Sequence, residues 1–262
     1  MKPVELEHDS ANGIARIVFN RPEVLNAIDL SAACAFRDCV IRLAEMPGVR
    51  CVLLKGNGRA FVTGGDVSRF ADDFDAAGNV LDEILQALNP AMEVLLSIDA
   101  PILAAVHGAA AGAGLSIVAA CDIVVAAEST RFLMAYDRIG GVPDCGGTYF
   151  LPRVLGVRKA AQLMLLSETM TAAEAKDAGL VSFVVADELL SSEADRLVAK
   201  LASGPTRSYG EYKRLVQAGF SNSLHAQLDA ERVAFRNLTK SDDFKAGVSA
   251  FLAKEKPDFK GS

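Results

Sequence analysis

An α/β fold is expected for this chain, with helices alone toward its C-terminus. Three observations carry that expectation. Up to residue 127, short β-rich apolar runs alternate with segments of helical period. Glycine-rich turns follow two of those runs, at residues 57–66 and 107–114. From residue 187 to 256 only amphipathic helical patterns remain, three or four of them.

The elements follow in order. "GIARIVFN" (13–20) alternates and is β-rich, a strand ending at the "NRPE" turn. "SAACAFRDCVIRLAEM" (31–46) has helical period, with Ser31 as its cap. "VRCVLLKG" (49–56) is a buried strand, and residues 77–98 form a long helix with Pro90 as a kink or a start. "PILAAVHG" (101–108) is a strand feeding an Ala/Gly-rich helix, and "CDIVVAA" (121–127) is another strand. Farther on, Thr171 and Glu174 have the spacing of a capping box, and Pro205 stands at a first helical position after Gly204. No linker-like or repeated stretch divides the chain.

Composition narrows the function. At 262 residues and 51% apolar, the chain can bury a sizeable core. Its formal charge of −6 argues against nucleic-acid binding, which needs a basic face. Residues 102–120 are apolar enough to draw a membrane reading, but they are rich in Ala and Gly, carry His107 and lack interfacial anchors. A buried strand and helix fit better. Five cysteines (34, 39, 51, 121, 145) sit in apolar runs without metal-ligand spacing. With no secretory signal in "MKPVELEHDS", they read as reduced thiols of a cytoplasmic protein.

The two glycine-rich turns have two readings. Backbone N–H groups at such strand-to-helix junctions can converge on one polarised oxygen, forming an oxyanion hole. Equally, small residues permit close packing. "GAGLSI" also suggests a dinucleotide fingerprint, but Ile117 stands where the third glycine belongs. The histidines, His8, His107 and His225, are scattered, and Ser116 has no evident base. One acid stands out. "RIGGVPDCGGT" (138–148) places Asp144 in a rigid glycine-proline turn between the apolar flanks "FLMAY" and "YFLPRVLG".

Six segments in order, "FNRPEVLNAI", "GRAFVTGGDV", "PILAAVHGAAAGAGLSIVAACDIVVAAESTRF", "GGVPDCGGTYFLPRVLG", "AKDAGLVSFVV" and "SAFLAKEKPDF", resemble the enoyl-CoA hydratase/isomerase (crotonase) family. The resemblance runs from about residue 4 to 259. It implies a crotonase-type spiral of repeated ββα units, with an acyl-CoA site in residues 1–200. It also implies a helical region, 201–262, that serves trimerisation and pocket closure in a homotrimer or hexamer. The substrate is then an acyl-CoA thioester of fatty or aromatic acid metabolism. Coenzyme A is part of that substrate, so no separate cofactor and no metal are implied.

Carried onto this chain, the family's oxyanion hole uses the N–H groups of Gly65 and Ala113. Leu25 and the segment holding Ala60, Val62, Gly64, Gly65, Asp66, Val67 and Ser68 line the CoA, and Gly112, Ser116 and Tyr136 are further candidates for binding substrate or CoA. Arg59 and Lys213 are the candidates for the CoA phosphates, and residues 69–95 for the pocket wall.

Hydratases of the family resemble one another in two glutamates. Here those positions read Ser116 and Tyr136, and Asp137, taken as part of an extended segment, faces the other way. Asp144 sits where isomerase branches carry their acid, and the turn is most similar to the branch acting on ring-epoxide phenylacetyl-CoA. The expectation is a double-bond shift by Asp144-mediated proton transfer. The alternatives are an enoyl-CoA hydratase, a 4-chlorobenzoyl-CoA dehalogenase-like hydrolase and a non-catalytic crotonase-fold binding protein.

Overall fold

The computed structural model describes residues 2–71 and 73–262. Asp72 and the side chain of Arg69, both in the expected pocket wall, lie outside the described residues.

A half-buried first run and an almost wholly buried second one set the edge of the architecture. Strands β1 (Val4–Asp9) and β2 (Ile14–Phe19) form an antiparallel pair, and helix α1 (Leu30–Glu45) leads to β3 (Cys51–Gly56). A short α2 (Ser68–Ala71) and a long α3 (Ala77–Ser97) lead to β4 (Ile102–Val106), β5 (Ala109–Ala111) and α4 (Ala113–Ala120). Then come β6 (Ile123–Ala127), β7 (Arg131–Leu133), a 3-10 turn at Tyr136–Ile139, α5 (Gly147–Leu155) and α6 (Val157–Leu165). The chain continues through β8 (Thr169–Thr171), α7 (Ala172–Asp177), β9 (Phe183–Val185) and α8 (Leu190–Ala202). It closes with α9 (Thr206–Gly219), α10 (Leu224–Leu238) and α11 (Asp242–Ala253).

The large sheet has the order β1-β2-β3-β4-β6-β9 and is parallel from β2 onward. Parallel strands covered on both faces need apolar residues at every position, which is why β3 and β4 read as continuous runs. Successive side chains go to opposite layers. Val52, Leu54, Ile102 and Ala104 join the core with Phe36 of α1 and Leu88 of α3. Leu53, Leu103 and Val125 meet Leu197 and Val198 of α8 on the other side.

The small sheet, β5-β7-β8, explains the spiral. β4 in the large sheet is followed by β5 in the small one, and β6 by β7. β3 is followed by Val62, which bridges Ala110 of β5. Each such pair then leads to a helix, α3, α4 or α5, so three turns of a ββα spiral stack in order. The stretch 102–120 is thus two strands and a helix whose eight residues are all buried. No helix among the described residues is long and apolar enough to cross a membrane.

Local details correct or sharpen the sequence reading in three places. Asp29, not Ser31, caps α1, its carboxylate accepting the Ala32 N–H at 2.8 Å, because the chain already turns helical at Leu30. Of the two readings of Pro90, the start is excluded, because it lies inside α3. Pro205 is the cap of α9, which begins at Thr206. The capping box of Thr171 and Glu174 is formed in both directions.

Candidate active site

The two glycine turns meet. Phe61 N–H reaches His107 O at 3.0 Å, and Ala111 N–H reaches Val62 O at 3.0 Å, drawing residues 61–65 along β5. Gly64, at φ +93°, lies against the second turn, and a Cβ on it would come within 3.5 Å of Gly112 Cα. Gly112 is itself at φ +52°. At Gly114 a Cβ would fall 2.1 Å from Val62 O, so only glycine lets the helix approach this closely. The close-packing reading of these small residues applies. Close packing brings the turns together, and among the described residues the N–H groups of Gly65 and Ala113 have no backbone acceptor. Ala113 is the first residue of α4, where N–H groups face outward along the helix axis.

Asp144 is presented beside this junction by a turn with two consecutive left-handed residues, Cys145 (φ +48°) and Gly146 (φ +79°). Its carbonyl accepts the Gly147 N–H at 2.8 Å, which starts α5. The carboxylate is half-buried, and Tyr136 Oη donates to its Oδ1 at 2.5 Å. Burial pushes the Asp144 carboxyl above its ordinary range, with the hydrogen bonds from Tyr136 and Cys145 pulling the other way. Burial and the neighbouring Asp144 charge push the Tyr136 phenol up, so it stays protonated. The Tyr136 ring borders the glycine junction, since a Cβ on Gly112 would lie 3.7 Å from its Cζ. The Tyr136 ring thus links the Asp144 carboxylate to the packed glycine turns.

The other sequence-derived candidates divide. Leu25 is half-buried and accepts from Thr63 Oγ1 at 3.0 Å, which ties it to the Gly64 turn. Ala60 and Val62 are buried and shape that segment, whereas Gly65, Val67 and Ser68 are exposed along its edge. Asp66 pairs with Arg21 at 3.6 Å and accepts from Ser68 Oγ at 2.6 Å. Ser116 is wholly buried, its Oγ directed to Gly112 O at 3.4 Å and covered by Gly147. Arg59 is exposed next to Ala60. Lys213 is committed elsewhere, paired with Asp122 at 3.0 Å and bonded to Ala100 O at 3.1 Å. Asp137 lies in a 3-10 turn rather than an extended segment, and accepts from Ser167 Oγ instead of facing Asp144.

A cavity of about 610 Å³ opens beside Asp144, walled by Leu85, Met92 and Leu96 of α3 and by Val142 and Phe150. Asn89 and Glu93, both exposed, stand among its lining. A second apolar cavity, about 360 Å³, shares Leu81 with it and is lined by Val67, Phe70 and Phe74. The expected wall from residues 69–95 is therefore α3 with its preceding turn. A larger cavity, about 780 Å³, lies at the C-terminal tail and contains none of the candidate residues.

Sequence reading missed Asn26. It is buried at φ +58°, and its Nδ2 faces Asn57 O, Ala60 O and Phe61 O at 2.9, 2.8 and 3.0 Å. Its Oδ1 accepts the Arg21 N–H at 2.7 Å. This side chain staples the "NRPE" turn to the strand exit that delivers Gly64 and Gly65. The available signal was an asparagine, a residue that tolerates the left-handed region, directly after a turn.

The fold is a double-layered ββα spiral in which two packed glycine turns stand next to a half-buried acid. Residues 9–262 match the enoyl-CoA hydratase/isomerase family, and the chain belongs to it. Members of that family act on acyl-CoA thioesters. The chain is 38% identical to the 1,2-epoxyphenylacetyl-CoA isomerase of Escherichia coli, covering 95% of each. It is also 38% identical to a probable enoyl-CoA hydratase of Rhodobacter capsulatus, covering 98% of each. Among solved structures, an enoyl-CoA hydratase from Bacillus anthracis superposes with a TM-score of 0.91 at 28% identity, over 99% of this chain and 100% of that one.

Proposed function

We propose that the chain is an enoyl-CoA isomerase in which Asp144 moves one proton. The thioester carbonyl rests on the N–H groups of Gly65 and Ala113. The Asp144 carboxylate takes a proton from C2 of a 3-enoyl thioester, and the electron pair moves onto the carbonyl oxygen as a dienolate. The same carboxyl, now protonated, returns the proton at C4 as the double bond settles between C2 and C3. Each N–H donor to such an oxyanion is typically worth about a hundred- to a thousand-fold in rate.

The observation that carries this reading is the pairing of Asp144 with a phenol rather than with a second acid. Adding water to a 2-enoyl thioester calls for a held, activated water plus a proton donor, work usually shared by two carboxylates. One observation favours a hydratase reading. Glu93 lines the same cavity as Asp144, although it is exposed on α3. The aromatic relative supports including phenylacetyl-type thioesters among the substrates tried.

The test measures 3-enoyl to 2-enoyl isomerisation and 2-enoyl hydration in wild type, Asp144→Asn and Glu93→Gln. Asp144→Asn should lower isomerisation about a hundred- to ten-thousand-fold, the usual worth of a general base, with binding of the thioester little changed. Glu93→Gln should leave it near wild type. The base must be ionised and burial raises its pKa, so kcat/KM should fall on acidification from above the usual carboxylate range. Strong wild-type hydration that Glu93→Gln removes would establish the hydratase reading instead.

A further inference from the structure

We propose that Tyr136 is a positioning residue for proton transfer: its phenol holds Asp144 Oδ1, so that the carboxylate keeps one orientation as it takes and returns the proton. The proposal rests on Asp144 being the base, as argued above.

The geometry is a double grip. Tyr136 Oη donates to Asp144 Oδ1 at 2.5 Å and lies 3.3 Å from the Asp144 backbone N–H, which donates to it. The side chain and the backbone of one residue are thereby tied to a single oxygen. A carboxylate free to rotate would exchange its two oxygens and swing relative to the acyl chain. Held at Oδ1 by the phenol and at its own N–H, with the Cys145 thiol as a further donor, the carboxylate keeps one orientation.

The tyrosine is itself held firmly. The residue is 9% exposed and its ring borders Gly112, which in turn lies against Gly64. It begins the 3-10 turn Tyr136–Ile139, entered through Ala135 at φ +62°. The next residue, Asp137, is bonded to Ser167, which pins that turn to the loop before β8. The base and the two glycine turns are therefore registered against one another through this ring. The phenol does not take the proton itself, because burial and the Asp144 charge keep it protonated. The titratable groups that face Asp144 among the described residues are the Tyr136 phenol and the Cys145 thiol, and Glu93 lines the same cavity.

Tyr136→Phe keeps the ring and removes only the hydrogen bonds. Isomerisation should show kcat lowered about ten-fold, the worth of one charge-assisted bond, with KM within about two-fold. Removing a donor to the ionised carboxylate raises its pKa, so the acid limb of kcat/KM should move up by about one pH unit. Site-specific 3-fluorotyrosine at position 136, a more acidic donor of nearly the same shape, should move that limb down. It also decides the matter if the Phe variant folds poorly. Loss of packing alone would lower kcat without displacing the limb. An unmoved limb in both variants therefore overturns the proposal, whatever happens to kcat. Asp144→Asn, run alongside, separates the two readings. If that variant is inactive and the limb stays put, only the tyrosine's role falls. If it retains full activity, the base assignment has failed and this proposal falls with it.

Discussion

Replacing Asn26 by alanine should cost about 4 kcal/mol of stability and also depress turnover. Asn26 Nδ2 has two hydrogens and faces three carbonyls, so it makes two hydrogen bonds at a time, and Oδ1 accepts a third from Arg21 N–H. At about 1 kcal/mol net for each bond, their loss accounts for about 3 kcal/mol. The residue stands at φ +58°, where alanine lacks asparagine's tolerance, which adds about 1 kcal/mol. Against a total stability of roughly 5–15 kcal/mol, this is a large fraction.

Urea unfolding of wild type and variant, followed by circular dichroism, reads the difference from the midpoint at unchanged slope. Asn26→Asp sharpens the test. It keeps the acceptor for Arg21 but turns a carboxylate toward three carbonyl oxygens, so at neutral pH it should be at least as damaging as alanine. Because the stapled carbonyls belong to the segment that carries Gly64 and Gly65, the folded alanine variant should also lose kcat. A stability loss under about 1 kcal/mol, or an aspartate variant as stable as wild type, would refute the reasoning.

Two further outcomes are expected. Gly65→Pro removes a proposed oxyanion donor and should lower kcat about a hundred- to a thousand-fold, whereas Gly65→Ala keeps the N–H, has open space for its methyl and should remain active. Wild-type turnover in the folded proline variant would dismiss the hole. The helices α10 and α11 expose Leu224 (75%), Phe251 (82%) and Leu252 (76%), and light scattering should report a trimer or hexamer. A stable monomer at micromolar concentration would contradict that expectation.

Much of the frame was legible before any coordinates. β3 and β4 announced themselves as unbroken apolar runs, α1 by its period, and α7 by its capping box. The three-residue strands β5, β7, β8 and β9 did not, because three residues are too few to display a period. They exist because neighbouring turns of the spiral supply their hydrogen-bond partners.

At the site the division is sharper. Sequence alone determined the isolated acid in its glycine-proline turn, the two glycine turns and the absence of glutamate at positions 116 and 136. Those are matters of residue type and local backbone, which neighbours in the chain dictate. Only the tertiary structure decided that Tyr136 holds Asp144, that Asn26 staples the segment leading to Gly64 and Gly65, that Ser116 is buried under Gly147, and that Lys213 is spent on Asp122. Each of these is a contact between elements separate in the chain. A polar side chain finds its partner according to which groups the fold buries beside it, and local sequence does not encode that neighbourhood.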